Sequence, residues 1–438
     1  MASRVSVDGA RGYQLLVKRE AVEWWGICFF LLFSSLNIAT LMISMVLSLV
    51  LLWQKEVGAL KILNLLTLRT ILNPGVAIAI ENLQGLKWGI ILLCSVYLIL
   101  CSIRLRTKHK NELVKIFIAI LAFAGFNFFS SLFFSTLPTI AIARLVSYVV
   151  VFVGVVVGVT NTYQRFDWVA WLYRMFAMMV FFSIPLTILP LGYLRNGHAF
   201  QGFTNHPNMF GIIVAMFVAL IITKLRVGGF RSPKLAYIAI GIALIMGVIS
   251  KSRTGVIAII VLVLFHVIFI NVPLRKKGLM YSIIGLALIY LTLDSPLVHE
   301  IEAFFFKGHY HLLFSRIPQL EGLVANFMLN PWFGSGFAVP VTSYRTFAFS
   351  WEFIVEPGNL ILAVLSYGGI IGAVFFSAYM SMIYCLGRAK SRDAFWMYFA
   401  PILISMGEMV FFSSNNIGIF CYMFLALSLD LSTPKTAK

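Results

Sequence analysis

The chain is built from apolar runs that follow one another with only short links between them, and this pattern decides the class of fold before any single residue is considered. A helix needs roughly 17 to 25 residues to cross the hydrocarbon of a bilayer, and many of the runs approach or exceed that length with few charges inside. Stretches such as Val146 to Val159 are uncharged and apolar on every side, whereas a membrane β-barrel would show short strands of alternating character. With 61% hydrophobic and only 11% charged residues, there is too little polar surface to coat a water-soluble body of 438 residues. The expected fold is all-α: a polytopic integral membrane helical bundle of about 12–14 transmembrane helices with one large external loop.

Candidate spans cover 24–36, 38–53, 62–80, 86–103, 113–137, 138–158, 170–190, 207–223, 235–249, 254–270, 279–293, 358–386, 394–412 and 417–429. They divide the chain into N-terminal transmembrane helices (1–293), a large external loop with an amphipathic helix (294–357) and C-terminal transmembrane helices (358–438). The first two spans share one apolar run, and the third carries Lys61 and Arg69 at or near its start.

Charge gives the orientation. Four basic clusters, Arg104 to Lys110, Lys224 to Lys234, Arg275 to Lys277 and Arg388 to Arg392, fall on one side together with both termini. The positive-inside rule makes that side the cytoplasm. The formal charge of +18 is then explained by topology and anionic membrane lipids, without nucleic acid. Arg4, Arg11, Lys18 and Arg19 precede the first run with no clean cleavage pattern after it, so an uncleaved anchor is expected. Cys28, Cys94, Cys101, Cys385 and Cys421 match no disulfide framework or metal site and read as small buried hydrophobes. No fixed-period repeat and no clear inverted halves are visible.

The external side holds the polar chemistry. Asp294 to Pro357 carries six acids against three bases, against the trend of the whole chain. Pro207 fits the first turn of a helix capped by Asn205 or His206, whose free N–H groups would favour an anion, with Arg195 nearby; the alternative is a plain cap and a snorkelling arginine. Lys251 and Arg253 sit between apolar helices on the face normally poor in bases. Arg253 would contact phosphate through its planar fork or pair with an acid of the loop, and Lys251 would anchor at the interface.

Within the loop, Phe304 to Arg316 mixes aromatic rings with His309, His311 and Arg316, and the two histidines lack a third ligand at metal-site spacing. An amphipathic helix over 315–329 is expected to end in the glycine-rich turn Asn330-Pro-Trp-Phe-Gly-Ser-Gly-Phe337. Glu356 precedes Pro357 at the mouth of the membrane. Held partly out of water it would serve as a general base; otherwise it caps the next helix or pairs with Arg345, and Glu352 is its competitor. Glu408 lies at the external end of an apolar span, where a charge needs a partner, and Arg253 or Arg195 would supply one.

Taken in order, these pieces resemble the O-antigen ligase and polymerase family, multi-spanning glycosyltransferases of bacterial envelope polysaccharide synthesis. The likeness rests on Arg195 with Gly202-Phe-Thr-Asn-His-Pro-Asn-Met-Phe-Gly211, on Ser252-Arg-Thr-Gly255, and on Arg316. It continues through Asn330-Pro-Trp-Phe-Gly-Ser-Gly336 and Glu356-Pro-Gly-Asn359 to Tyr367-Gly-Gly-Ile-Ile-Gly372. It covers residues 195–372; before them only generic spans match.

The resemblance implies an external cavity that binds an oligosaccharide or polysaccharide carried on undecaprenyl pyrophosphate and transfers it to a glycan or lipid-linked acceptor. Arg195 and Arg253 would hold the pyrophosphate, Arg316 would serve the loop side, and Asn208 and Asn359 would line the substrate site. Glu356 stands where the family's ligases usually carry a histidine, which fits a polymerase at least as well as a ligase. No metal and no cofactor are expected, and other polysaccharide assembly proteins are possible partners. Two rival readings remain: a polysaccharide transporter or flippase, and a non-catalytic scaffold of envelope assembly.

Overall fold

The structure, a computed structural model, describes residues 22–104, 110–194, 197, 199–230, 232–270, 278–279, 281–282, 285–286, 295–306, 317–339 and 358–431. In chain order the helices are α1 (Val22–Leu36), α2 (Ile38–Ser48), α3 (Glu56–Thr70), α4 (Gln84–Arg104), α5 (Lys110–Phe133) and α6 (Pro138–Thr162). They continue with α7 (Trp168–Ser183), α8 (Pro207–Arg226), α9 (Pro233–Ile249), α10 (Arg253–Phe269) and α11 (Pro296–Phe306). The last four are α12 (Ile317–Leu329), α13 (Leu360–Lys390), α14 (Ala394–Ser405) and α15 (Gly418–Asp430). Among the described residues there is no strand beyond two isolated bridges, Leu72 with Thr204 and Tyr193 with Phe200. Among the described residues, six helical stretches are long and apolar enough to cross a membrane, and six more are apolar but shorter. The molecule is an all-α polytopic membrane bundle.

Burial sorts the helices. From Phe210 to Thr223 every residue of α8 is buried, and so is every residue of α15. Helices apolar on all sides belong at the centre of such a bundle. Around them, α1, α2, α4 and α5 turn large apolar side chains outward, among them Trp25, Leu32, Leu93, Ile118 and Phe133. Such a surface is stable only against lipid.

The two ends differ in chemistry. At one end Arg226 of α8 pairs with Asp393, and its Nη1 donates to the Phe269 carbonyl at the end of α10 (3.2 Å). Lys390 of α13 lies 2.8 Å from Glu112 of α5 and 3.7 Å from Asp430 of α15. Three of the four basic clusters therefore border one end, knitted together by acids, and the starts of α5 and α14 lie there with the ends of α8, α10, α13 and α15. The cluster at Arg275 to Lys277 and both termini, residues 1–21 and 432–438, lie outside the described residues.

Several spans differ from the sequence expectation. The stretch 62–80 is not one span: α3 stops at Thr70, because Asn73-Pro-Gly75 turns the chain and Asn73 fastens the turn to the 191–203 link. Arg69 is buried with its guanidinium on the Ser34 hydroxyl (3.1 Å) and the carbonyls of Ser34 (3.0 Å) and Ile78 (2.5 Å). The span 394–412 ends as helix at Ser405, and its remainder is irregular. By contrast, the run 24–53 divides at Asn37 as expected; its side chain accepts from Thr40 N–H (2.9 Å) while Thr40 Oγ1 accepts from Asn37 N–H (3.0 Å), a reciprocal cap. Most of 279–293 lies outside the described residues. The cysteines are all free, but only Cys94 and Cys421 are buried; Cys385 is exposed on α13, so it is not a core residue.

The largest departure is in α13. At Gly369 the backbone takes φ 62°, ψ −162°, so the helix is broken, not continuous. The backbone groups freed by the break are met by residues 331–336: Ser335 N–H donates to Ser366 O (2.9 Å) and Gly336 N–H to Tyr367 O (3.1 Å). On the other side Ile370 N–H donates to Pro331 O (2.8 Å) and Ile371 N–H to Trp332 O (3.3 Å). Inside a membrane such groups must find protein partners, and here another part of the chain supplies all four. Phe337 anchors the inserted segment, fully buried against Tyr148, Tyr367 and Phe412, while Arg144 donates to Ala338 O (2.8 Å).

Candidate functional site at the polar end

Opposite the basic end, helix starts gather. Helix α8 opens with Pro207, which has no N–H to leave unpaired, and the His206 Nδ1 cap accepts from Asn208 N–H (3.2 Å). Helix α10 opens with Arg253 behind Ser252, whose Oγ accepts from Gly255 N–H (3.3 Å). The two starts are pressed together: a Cβ on Gly255 would lie 2.6 Å from Gly211 Cα, and one on Gly211 would lie 2.2 Å from Ser252 Oγ. Only glycines permit that approach. Two capped helices therefore present their positive dipole ends side by side.

The link after α14 closes this corner. Gly407 lies so near Thr254 that a Cβ there would be 2.3 Å from Thr254 Oγ1, which sets Glu408 beside the start of α8. Glu408 Oε1 accepts from Asn208 Nδ2 at 2.6 Å, a short charge-assisted bond between residues 200 positions apart. Arg253 Nη1 donates to Phe305 O (2.8 Å), tying the loop helix α11 to the bundle. Lys251, beside Arg253, is exposed and takes a left-handed φ of 56°, which turns the chain sharply from α9 into α10.

Of the residues singled out in the sequence, the structure brings Asn208, Glu408 and the start of α10 at Arg253 into one cluster. Glu408 is seated by Asn208, a residue not expected to hold it. Asn359 caps its own helix, its Oδ1 accepting from Leu362 N–H (3.0 Å). Arg195, Arg316, Glu356, Arg345, His309 and His311 lie outside the described residues. Among the described residues no three His, Cys, Asp or Glu side chains are grouped to hold a metal.

Lys87 was passed over in the sequence. It sits in the first turn of α4, only 1% exposed, and forms no ion pair among the described residues. A lysine inside an apolar span was the available signal, since a buried ammonium without a counter-ion is costly to keep. The family-like glycine motifs, by contrast, are structural. Asn330 to Gly336 and Tyr367 to Gly372 hold each other at the break in α13.

No protein-family model matches the chain, and no curated protein matches it.

Proposed function

We propose that this protein is a membrane glycosyltransferase of the external face of the bacterial inner membrane, polymerising or ligating a glycan carried on undecaprenyl pyrophosphate. The observation that carries the reading is the corner where Arg253 and two helix N-termini meet at the end opposite the basic clusters. A departing diphosphate needs positive charge in a site of low dielectric, and fixed N–H groups with a guanidinium supply it without reorganising. Asn208 and Glu408 fix the geometry of that corner, and Arg195 and Arg316 would complete the cation set.

In the proposed reaction an acceptor hydroxyl oxygen bonds to the anomeric carbon in a single inverting displacement. The bond from that carbon to the diphosphate oxygen breaks with its electron pair leaving on the diphosphate. Glu356 takes the hydroxyl proton. No metal is required by this scheme.

The broken α13 favours a second reading, transport, because discontinuous helices line many transporter sites. Its freed backbone groups are occupied by residues 331–336, which favours a structural role for the break. Purified protein given a lipid-linked repeat unit separates the readings. Longer lipid-linked chains mean a polymerase, transfer to another acceptor a ligase, and movement across the bilayer without new bonds a transporter. Full turnover by a normally folded Glu356→Gln protein would remove Glu356 as the base.

A further inference from the structure

A cavity of about 380 Å³ opens at the basic end, between the turn from α6 to α7 and the last turn of α8, with Leu431 after α15 at its side. The spans of α6 and α8 end here, at Thr162 and Arg226, so the cavity lies at the depth of lipid head groups. Its lining carries charge of both signs: Arg165 and Asp167 from the turn, and Lys224 from α8.

The cations are set for an anion. Lys224 Nζ is held 4.4 Å from the Tyr173 ring centre and 5.3 Å from that of Phe230, which fixes a flexible side chain before any ligand arrives. Arg165 is exposed, and neither it nor Lys224 forms an ion pair among the described residues. A guanidinium and an ammonium on one cavity suit the several oxygens of a phosphate.

The rest of the lining favours a cation. Asp167 caps α7 with one oxygen, its Oδ1 accepting from Ala170 N–H (2.8 Å), which leaves Oδ2 to accept from a ligand. Its charge attracts Lys224 without an ion pair between them, so the opposite charges stand apart in one cavity. Three helices, α6, α8 and α15, end at this cavity, and their dipoles add negative potential there. A plain anion is opposed by this half of the lining and a plain cation by the other.

We infer that the cavity binds a zwitterionic aminoalkyl phosphate, the chemistry of a phosphatidylethanolamine head group. The phosphate meets Lys224 and Arg165, and the primary ammonium donates to Asp167. The group is carried either by a membrane lipid or by soluble phosphoethanolamine. The site lies at the end opposite the Arg253 corner and involves no transfer reaction, so it stands or fails apart from the glycosyltransferase reading.

The test is native mass spectrometry of the purified full-length protein in a polyoxyethylene detergent. Phosphatidylethanolamine, phosphatidylcholine and phosphatidylglycerol with identical acyl chains, and soluble phosphoethanolamine, are titrated in turn. Phosphatidylethanolamine should bind about tenfold more tightly than phosphatidylcholine, whose ammonium has no N–H, and than phosphatidylglycerol, which has no ammonium. Asp167→Asn keeps a good cap for α7 and removes the charge, so it should abolish the preference over phosphatidylglycerol. Lys224→Met and Arg165→Gln should each weaken binding of both lipids about tenfold. Soluble phosphoethanolamine binding as tightly as the lipid assigns the site to a soluble ligand and supports the inference. Phosphatidylglycerol or phosphatidylcholine binding as tightly as phosphatidylethanolamine, a preference that survives Asp167→Asn, or unchanged binding in both cation variants would overturn it.

Discussion

Replacing Gly369 by alanine tests whether the inserted segment and the broken helix are one structural unit. At φ 62°, ψ −162° the residue occupies a region open essentially to glycine alone, which costs a side chain about 1–3 kcal/mol. An ideal Cβ would also lie 2.4 Å from the carbonyl carbon and oxygen of Trp332. Those are backbone atoms and cannot rotate away, so overpacking adds about 1–3 kcal/mol. Relief by displacing 331–336 gains little, because it forfeits four backbone hydrogen bonds of about 0.5–1.5 kcal/mol each in a place without water. The expected loss is about 3–5 kcal/mol.

Gly372→Ala is the control, three residues along the same helix. Its Cβ would meet the Phe126 ring edge at 3.3 Å and Asn127 Nδ2 at 3.8 Å, side-chain atoms that can give way, and alanine is the better helix former by about 1 kcal/mol, so the change should be close to neutral. Reversible unfolding in mixed micelles, followed by circular dichroism against denaturing detergent, gives both values. If Gly369→Ala unfolds within about 1 kcal/mol of the parent protein, the segment is not locked into the break as argued.

The remaining predictions concern charge. In a double-mutant cycle, Asn208→Ala and Glu408→Leu should show a coupling of about 1.5–3 kcal/mol in stability, and additivity would mean the 2.6 Å bond is not populated. Lys87→Met should raise stability by about 1–3 kcal/mol, since it removes a buried ammonium that forms no ion pair among the described residues; a loss of stability would show that the charge has a structural partner. Asp393→Asn should destabilise the basic end by about 3–5 kcal/mol by stranding Arg226, with the polar-end corner and its ligand binding unchanged.

How much of this was legible follows from the range of each signal. Apolar periodicity is local, so the membrane bundle and most helix positions could be read directly, as could the Pro207 start and the turn after Leu329. The division into ends was legible because each basic cluster is itself a local signal, repeated along the chain. The break at Gly369 was not: Tyr367 to Gly372 lies in a long apolar run, and nothing nearby announces that residues 331–336 will occupy it. The early end of α3 was obscured because Ile71, Leu72, Val76 and Ile78 keep the stretch apolar past a turn whose anchor, Asn73, bonds to partners more than a hundred residues away. The pairing of Asn208 with Glu408 is equally remote.

The corner built from Asn208, Glu408 and the start of α10 therefore carries a different weight from the motifs that first drew attention to it. The glycine-rich pieces have found their explanation in packing: they let backbones meet where a side chain would not fit, and need no substrate to account for them. Polar groups cannot be explained that way, because burying them in a membrane bundle costs free energy that packing alone does not return. Glu408 is seated by Asn208 beside the starts of α8 and α10, Arg253 opens α10, and Lys87 is buried with no ion pair among the described residues. An anion arriving at that end would meet the Arg253 guanidinium and two helix N-termini, but also the Glu408 carboxylate, which opposes it. The proposed transfer from a lipid pyrophosphate would need positive charge at that corner, and the Arg253 guanidinium is the side chain there that supplies it.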